Sequence, residues 1–510
     1  MARDRRLPGP PPAHGDFSPA DFRRMGKAAV ERLARYFETL EARPVLARTK
    51  PGEVLARLPA RAPEEPEPWE AIERDLDRLV EGNLTHWQHP GYLAYFATTS
   101  SAPAAVGEFL TGGYNQIGIL WRTSPVLTEL EQGVVRWLLD LVGLPWGPDG
   151  FDGQLADTAS TASLVALASA REQAFPDARK TGLAGRPAGA VYCSELAHSS
   201  IDKACVVLGF GTEGLRKIPT DAEFRMDAGA LASAVARDRA EGRIPVAVVA
   251  TAGTTAVTSV DPLPALADLC AKERIWLHVD AAYAGSAAVL PEMRPLFAGW
   301  ERADSVLFNP HKWMLVPNEC TGLFFRRMER VRRAFSVVPN YLETPEGETV
   351  REYMDYGVQL GRRFRALKLW LTLRAFGAAG LRARIADAIA HARWLKSELE
   401  KEPGVAVVAP APFSVVAFRW QPEGLDDAAA DAANARILAR INEDGRAFVS
   451  HALVRGRFAL RAAVGNVRTS RRHLEAFLDA FRSAVAAESG GRRPPVRRRP
   501  APTRRKSGRA

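Results

Sequence analysis

Five short apolar runs between residues 190 and 325 constrain the fold of this chain more than any other feature. Helix-like segments separate several of these runs. The runs lie at 190–193, 245–250, 275–279, 305–308 and 322–325. Short apolar runs that alternate with helices are typical of strands buried on both faces of a mostly parallel sheet. The sequence therefore predicts a large α/β domain, which we place over residues 102–369.

A second, smaller pattern of strands and helices follows the first. Strand-like segments lie at 405–408, 415–418 and 458–461, and helical segments lie near 426–443 and 470–487. This alternation predicts a small α+β domain over residues 370–489.

The first hundred residues carry helical patterns instead. Ser18, Pro19 and Asp21 form a typical helix start, with a serine cap, a proline in the first turn and an acid near the positive end of the helix dipole. An apolar face then recurs at helical spacing at Phe22, Met25, Ala29, Leu33, Tyr36 and Leu40. A second helical pattern covers 68–79. Because such a unit has little core of its own, residues 1–101 are expected to form a helical dimerisation segment that packs on a partner subunit.

The positive charge of the chain is concentrated at its end. The net charge is +10, but residues 490–510 carry nine basic residues and no acid, which leaves about +1 for the rest. The body is therefore unlike that of a nucleic-acid-binding protein. The tail is rich in proline, glycine and arginine and is expected to be disordered. It is either a solubilising extension or a contact for nucleic acid or an anionic surface.

Location and metal binding are constrained by what the sequence does not contain. No apolar run approaches the roughly 18 residues of a membrane span, and the basic start is followed by prolines instead of an apolar secretion signal. The four cysteines are scattered and lack the spacing of a zinc site or a disulfide framework. We therefore expect a cytoplasmic protein without a metal, whose cysteines are core thiols.

Two of the predicted strands end in a turn that carries one ionisable residue. Asp280 follows the run 275–279, and Lys312 follows the run 305–308. Because consecutive strands of one sheet tend to be neighbours, both side chains are offered to one crevice. Taken alone, a lysine in a turn is most often a solvated charge, and an aspartate after a strand is often a helix cap. Together they match pyridoxal phosphate, which needs a lysine for its aldehyde and a carboxylate to keep its ring nitrogen protonated.

Seven separated motifs surround this pair. In chain order they are Thr85-His86-Trp87, Ala94-Tyr95-Phe96, Ala197-His198-Ser199-Ser200, Gly253-Thr254-Thr255, His278-Val279-Asp280-Ala281-Ala282-Tyr283-Ala284-Gly285-Ser286, Asn309-Pro310-His311-Lys312-Trp313 and Gly361-Arg362-Arg363-Phe364-Arg365. With these motifs the chain resembles the pyridoxal-phosphate-dependent group II decarboxylases, most closely the aromatic-L-amino-acid decarboxylases. The resemblance implies a fold-type-I, transferase-like architecture with a mostly parallel seven-stranded sheet. It also implies an obligate homodimer whose active sites lie at the interface.

The resemblance gives roles to residues around the cofactor ring. Lys312 is similar to the lysine that binds the cofactor covalently, and Asp280 is similar to the partner of the ring nitrogen. Ala282 would lie under the ring, where a small side chain leaves room. His198 is expected to stack on the ring and to serve in proton transfer, although a lone histidine in a turn is often a cap. Thr255 resembles a threonine near the cofactor and the substrate carboxylate, or it is a turn hydroxyl.

The cofactor phosphate needs amide groups and hydroxyls at the start of a helix. Thr158, Ala159 and Ser160 precede a helical run and are the candidates, and the resemblance adds Asn309 and His311 to the same cup. Asp157 departs from the family pattern, which has a small residue there. Because an acid pointing inward would repel the phosphate, we expect Asp157 to cap the helix from outside.

The reaction and the substrate depend on residues at the edge of this site. Residues 337–348 are polar and interrupted by proline and glycine, as in a mobile lid, and Tyr341 within them falls where the decarboxylases carry their proton donor. By resemblance, the substrate pocket comprises Trp87, Tyr95, Phe96, Thr98, Ile119 and Gly361. The aromatic members either stack on a substrate ring or belong to the ordinary core. Ile119 and Gly361 are smaller than the residues of many relatives and favour a bulky ring such as indole.

The leading hypothesis is a decarboxylase that converts an aromatic L-amino acid to its amine and carbon dioxide. Lys312 and Asp280 would serve a decarboxylase of glutamate, histidine or a diamino acid equally well. A non-catalytic binding protein on the same scaffold is the third alternative, against which the presence of Lys312, Asp280, His198 and Tyr341 together argues.

Overall fold

The computed structural model describes residues 7–12, 14–96, 98–337, 345–346 and 349–490. Its helices are α1 (Pro19–Thr39), α2 (Trp69–Asp75), α3 (Ala102–Tyr114), α4 (Pro125–Val142), α5 (Ala159–Ala174), α6 (Ala178–Thr181), α7 (Ser200–Val207), α8 (Ala228–Ala240), α9 (Leu263–Glu273), α10 (Pro310–Trp313), α11 (Met328–Phe335), α12 (Arg365–Leu399), α13 (Asp427–Asp444) and α14 (Arg471–Glu488). Its strands are β1 (Tyr92–Leu93), β2 (Asp152–Ala156), β3 (Gly189–Ser194), β4 (Leu215–Ile218), β5 (Ile244–Thr251), β6 (Trp276–Asp280), β7 (Ser305–Phe308), β8 (Thr321–Phe325), β9 (Val405–Val407), β10 (Val415–Trp420), β11 (Phe448–Val454) and β12 (Arg457–Ala463).

A seven-stranded sheet forms the centre of the large α/β unit, in the order β2-β8-β7-β6-β5-β3-β4. Neighbours from β7 to β4 pair in parallel, and only β8 runs against its two neighbours. All five apolar runs form strands of this sheet. The predicted fold class, a mostly parallel seven-stranded sheet in an α/β architecture, is confirmed.

Helices cover both faces of this sheet, which explains why its strands are apolar throughout. Along β6, Leu277 and Val279 join the core under α4, α8 and α9, whereas Trp276 joins the core under α5, α7 and α11. Polar side chains of β6 on the α5 face must therefore find partners inside the protein.

A second sheet of five strands has the order β1-β11-β12-β10-β9. Helices α13 and α14 pack on it, and its core includes Phe418, Leu460 and Phe477. Its first strand comes from the N-terminal part of the chain, because Tyr92 and Leu93 pair in parallel with β11. The small unit thus has the α+β character that the sequence predicts, and it recruits residues from before the large sheet.

The first helix begins as the sequence predicts and leaves much of its apolar face uncovered. Ser18 and Asp21 form a reciprocal capping box at the start of α1. Tyr36 and Leu40 are buried, but Phe22 and Leu33 remain 52% and 49% exposed. Other residues of this chain therefore bury only part of the apolar face of α1.

The predicted boundaries at 101/102 and 369/370 stay predictions. Helix α12 crosses the second of them, with a break in its helical geometry at Gly377, whose φ of 63° suits glycine. In the part of the chain that the structure describes, no helix has the length and apolar character needed to cross a membrane.

Candidate active site

The carboxyl ends of the parallel strands form the edge at which open α/β sheets bind ligands, and we call this edge the crevice. Strand β6 ends at Asp280, which lies opposite Leu307 of β7 in parallel register. Lys312 follows β7 in the short helix α10. The two strands predicted to be neighbours are neighbours, so the acid and the lysine leave the sheet side by side.

The lysine lies in a place that disfavours its charged form. Its Nζ is 4.8 Å from the centre of the Phe96 ring. Loss of water contact lowers the pKa of Lys312 to about 8, an effect that Asp280 opposes and Arg461 reinforces. Both charged groups are therefore near the ammonium. Near neutral pH such a lysine carries far more free amine than an exposed lysine does.

A chain of hydrogen bonds joins the acid to the lysine turn. The buried carboxylate of Asp280 accepts a bond from the amide of Ala282 at 3.0 Å. The carbonyl of Ala282 accepts from the amide of Asn309 at 3.0 Å, and the carbonyl of Asn309 accepts from the amide of Lys312 at 2.9 Å. The carboxylate, the small residue and the lysine are thus held on one continuous backbone network.

His198 lies in the turn between β3 and α7 and faces the same crevice. Its Nδ1 accepts from the amide of Ser200 at 3.1 Å. Burial lowers the pKa of His198, Asp280 raises it and Lys312 lowers it further. Because Nδ1 is an acceptor in a ring that is neutral near pH 7, the proton resides on Nε2.

The first turn of α5 presents the features of an anion cup. Thr158 caps this helix, and its hydroxyl accepts from the amide of Thr161 at 3.4 Å. The amides of Ala159 and Ser160 belong to the first turn, where helices have no internal acceptor for them. We call Thr158, Ala159 and Ser160 the phosphate cup.

The expectation that Asp157 caps α5 is wrong, because Thr158 does so. Asp157 instead accepts from the amide of Thr158 at 2.5 Å and from Nε2 of Gln359 at 3.0 Å. The hydroxyl of Thr321 lies 3.0 Å from the carbonyl of Asp157 and 3.0 Å from Oδ1 of Asn309. Asp157 is thus engaged by neutral donors, and Thr321 places Asn309 beside the phosphate cup.

Two further cofactor candidates are held differently. Nδ1 of His311 contacts the backbone of Cys320, 3.0 Å from its amide and 2.8 Å from its carbonyl, and burial lowers the pKa of the ring to about 4. Thr255 lies exposed in a turn, whereas its neighbour Thr254 is buried against Ser259 with 2.9 Å between the hydroxyls. His311 is therefore neutral and anchored to Cys320, just before β8, and Thr255 is the more accessible of the two threonines.

The aromatic candidates separate into an inner and an outer group. Phe96 is buried and stacks on Tyr283 at 4.1 Å between ring centres. Trp87 and Tyr95 stack on each other at 6.2 Å but remain 41% and 55% exposed. Thr98 accepts a bond from Gln88 through its carbonyl at 3.2 Å. Only Phe96 contacts the lysine directly, and Trp87 and Tyr95 form a rim on the surface of this chain.

Ile119 and Gly361 belong to another segment. Ile119 follows Ile117, which forms a β-bridge with Arg363, and Gly361 lies next to the side chain of Ile117. In the described part of the chain, no hydrogen bond joins this segment to Phe96 or Lys312. Their grouping with the aromatic wall of the crevice stays a prediction.

Tyr341, the predicted proton donor, lies outside the described residues, as does most of the predicted lid. Within the predicted lid, the structure describes Glu346, which forms an ion pair with Arg122 at 2.9 Å.

The structure adds Arg461, to which the sequence assigned no role. This arginine ends the run Phe458-Ala459-Leu460-Arg461 of β12 and is buried. Its Cζ lies 4.5 Å from the centre of the Phe96 ring, and one nitrogen donates to the carbonyl of Tyr95. Among the described residues, its Nε and Nη2 have no hydrogen-bond partner, and burial lowers its pKa to about 10. The signal in the sequence that could have indicated Arg461 is a charged residue directly after the apolar residues Phe458, Ala459 and Leu460.

These residues fit pyridoxal phosphate. The crevice offers an amine of lowered pKa, a buried carboxylate, a helix start for a phosphate and a buried cation with unused donors. Each complements one part of the cofactor or of an amino-acid substrate.

Comparison with known proteins agrees with this geometry. The pyridoxal-dependent decarboxylase conserved domain matches residues 51–421. Tryptophan decarboxylase TDC1 of Camptotheca acuminata is 37% identical over 477 residues, covering 91% of this chain and 94% of the relative. Phenylacetaldehyde synthase of a Rosa hybrid cultivar is 36% identical, with 89% and 92% covered. The crystal structure of Oryza sativa TDC with PLP and tryptamine superposes with a TM-score of 0.90 at 34% identity, covering 93% of this chain and 100% of the other.

The chain belongs to the pyridoxal-dependent decarboxylase family. It is a decarboxylase that uses pyridoxal phosphate, as the sequence predicts.

Proposed function

We propose that this enzyme removes carbon dioxide from an aromatic L-amino acid and releases the corresponding amine. The observation that carries the proposal is the contact of Phe96 with both Lys312 and Arg461, which puts an aromatic face beside the amine and the cation of the crevice. The curated relatives reported above include a tryptophan decarboxylase, which supports an aromatic substrate.

Each residue around the cofactor has a distinct task in this proposal. Lys312 binds the cofactor aldehyde through its free amine, and Asp280 keeps the ring nitrogen protonated. When bound, pyridoxal phosphate supplies an electron sink for the electron pair left on the α-carbon as carbon dioxide departs. His198 packs on the ring with a neutral imidazole, and Ala282 leaves space for the ring.

The phosphate is held at the opposite end of the crevice. Thr158, Ala159 and Ser160 provide amides and hydroxyls at the start of α5, and Asn309 stands beside them through Thr321. His311 and Thr255 complete the group of cofactor candidates, with His311 acting as a neutral support anchored to Cys320.

Arg461 is the cation placed to pair with the substrate carboxylate. Its two unused donors are buried, so leaving them unpaired costs free energy that a carboxylate can offset. The side chain of the substrate would then extend along Phe96 toward the rim of Trp87 and Tyr95, with Thr98 nearby.

Tyr341 is proposed to donate the proton that the α-carbon gains after carbon dioxide has left. Replacing it in the variant Tyr341→Phe is predicted to abolish most amine formation and to yield the aldehyde instead. The chemistry then diverts to oxidative deamination, in which dissolved dioxygen takes up two electrons to become hydrogen peroxide and the nitrogen leaves as ammonia. Product analysis by mass spectrometry measures the ratio of amine to aldehyde. An unchanged amine yield would refute the assignment.

The substrate class needs a direct test, since Lys312 and Asp280 serve other amino acids equally well. The purified chain with added pyridoxal phosphate is offered each of the twenty amino acids, and carbon dioxide release and products are measured. Release from tryptophan, tyrosine or phenylalanine is expected. Release only from glutamate, histidine or a diamino acid would establish the alternative.

We further propose a homodimer with active sites at its interface. The exposed apolar residues of α1 and α3 support it, namely Phe22, Val30, Leu33, Val106 and Phe109. Sedimentation of the full chain tests this state.

Other features remain predictions of the sequence. The cytoplasmic location is tested by fractionation of the cells that make the protein. The basic tail at 490–510, for which the sequence predicts disorder, lies almost wholly outside the described residues, and its deletion is expected to leave turnover unchanged.

A further inference from the structure

A buried histidine lies beneath the crevice, on the strand that carries Asp280. His278 precedes Asp280 by two residues in β6 and is fully buried. Side chains two residues apart in a strand point to the same face, so the imidazole lies roughly 7 Å deeper than the carboxylate. This face of the sheet is the one that α5 covers. No role on the cofactor or the substrate falls to His278.

The two ring nitrogens of His278 reach two different elements. Nδ1 lies 2.8 Å from the hydroxyl of Ser305, the first residue of β7. Nε2 lies 3.4 Å from the hydroxyl of Ser163, one turn into α5. The indole of Trp276 donates to the same Ser305 hydroxyl at 2.8 Å. One imidazole therefore joins β6, β7 and α5.

Burial makes these contacts matter. Ser163, Ser305 and His278 are all fully buried. Burial lowers the pKa of His278 to about 4, so the ring is neutral, with one nitrogen as donor and the other as acceptor. If the imidazole were lost, the buried hydroxyl of Ser163 would lose this partner without gaining water, and the hydroxyl of Ser305 would keep only the indole of Trp276.

The three joined elements are those that hold the three attachment points of the cofactor. The start of α5 forms the phosphate cup, β6 ends at Asp280, and β7 leads into the turn of Lys312. We propose that His278 is a positioning residue that fixes the spacing of these three points through Ser163 and Ser305. This inference rests on the roles proposed above for Thr158, Asp280 and Lys312. Because a cofactor bound at three points requires each within a fraction of an ångström, a loosened spacing weakens its binding.

The test begins with Ser163→Ala, which removes the link to α5 with little change in volume. Its matched control is Ser169→Ala on the same helix, where a buried serine bonds only to the carbonyl of Val165 in its own helix, at 2.9 Å. Both variants are titrated as apoenzyme with pyridoxal phosphate. The visible circular dichroism band then reports how firmly the bound ring is oriented.

Ser163→Ala is expected to weaken cofactor binding by about 3- to 10-fold, the effect of one hydrogen bond, and to reduce the visible circular dichroism. Ser169→Ala is expected to bind the cofactor as the wild type does. The melting temperatures of the two apoenzymes should agree, since both lose one buried hydroxyl.

A second pair of variants protects the test against a folding defect. His278→Asn keeps a group within reach of Ser305 but is too short for Ser163, so it should match Ser163→Ala. The double variant should then be no weaker than either single one, because both remove the same link. Additive losses would contradict the proposed link.

The inference is overturned if Ser163→Ala and Ser169→Ala have the same cofactor affinity and the same circular dichroism. That result differs from failure of the proposed roles. Such a failure would appear as a Lys312→Ala variant that keeps the visible cofactor band of the wild type.

Discussion

The crevice and the N-terminal segment solve the problem of burial in opposite ways. Around the crevice, ionisable residues such as Asp280, His278 and Lys312 are enclosed by the chain itself and take their partners from neighbouring strands. In the N-terminal segment, apolar residues such as Phe22 and Leu33 remain half exposed on a well-capped helix. The groups of the cofactor site therefore find partners within one chain, whereas the apolar face of α1 is only partly covered by it.

This contrast separates cofactor binding, which depends on one chain, from turnover, which is expected to depend on two. Binding of the cofactor should follow from residues of one chain, and turnover should also require the partner. Variants in the two regions can therefore be told apart by whether they change cofactor affinity or assembly.

The largest expected effect is that of Lys312→Ala. Without the amine the cofactor has no covalent attachment, and turnover should fall by about 10³-fold or more. The visible cofactor band should vanish while the sedimentation of the dimer stays unchanged. Lys396→Ala, which removes a partly exposed lysine of α12 paired with Glu400, should keep full activity. An equal loss of turnover in both variants would contradict the assignment of Lys312 as the lysine that attaches the cofactor.

A smaller effect is expected for Arg461→Met, which keeps the length of the side chain and removes its charge. If Arg461 pairs with the substrate carboxylate, kcat/KM should fall by about 10- to 100-fold, the cost of a charged hydrogen bond, mainly through KM. Arg457→Met on the same strand is the control, because that arginine is exposed. Its charged partner is Asp427 on the surface, with 3.6 Å between Nε of Arg457 and the carboxylate. An unchanged KM in Arg461→Met would show that the substrate carboxylate does not pair with Arg461.

The apolar face of α1 gives the test on the other side of the comparison. Replacing Phe22 and Leu33 together by aspartate puts charges where an apolar partner is expected, and the dimer dissociation constant should rise by at least about tenfold. Lys27→Asp, at an exposed polar position of the same helix, controls for the new charge. Sedimentation equilibrium measures the constants. Equal dimerisation in all variants would show that this face packs elsewhere.

The smallest effect concerns pH. A pKa of about 8 means that Lys312 loses its proton at a lower pH than an ordinary lysine. The rate at which apoenzyme takes up pyridoxal phosphate should therefore rise about fivefold from pH 7 to pH 8 and level off above it. In Arg461→Met the plateau should move to higher pH, because Arg461 lowers the pKa of Lys312. Stopped-flow absorbance measures the rate, and a rise that continues past pH 10 would contradict the lowered pKa.

Strands of the central sheet were predictable where their residues are apolar. β5, β6 and β7 are continuous apolar runs, and their order in the chain places Asp280 beside Lys312. Strand β2 was missed because Asp152-Gly153-Gln154-Leu155-Ala156 has no β-branched residue. Pairing with β8 and a hydrogen bond from the amide of Leu155 to Glu131 at 2.7 Å make it a strand. Such long-range pairing leaves no local pattern.

The candidate site divides in the same way. Lys312, Asp280, His198 and Thr158 could be named because each follows a strand or begins a helix in a recognisable motif. Arg461 could not, since nothing in its own segment indicates that β12 of the small sheet reaches Phe96. The relation of Ile119 and Gly361 to the crevice was equally hidden, because it depends on how separate segments are arranged.

By itself, the sequence determined the class of fold and the cofactor and named the groups proposed to bind it, because apolar periodicity and short motifs are local properties. Only the tertiary structure decided which side chains meet in the crevice: a buried arginine from the small sheet, a threonine that joins Asn309 to Asp157, and a histidine that ties α5 to β6 and β7. Those contacts join residues far apart in the chain, and their geometry and burial exist only once the sheets have packed.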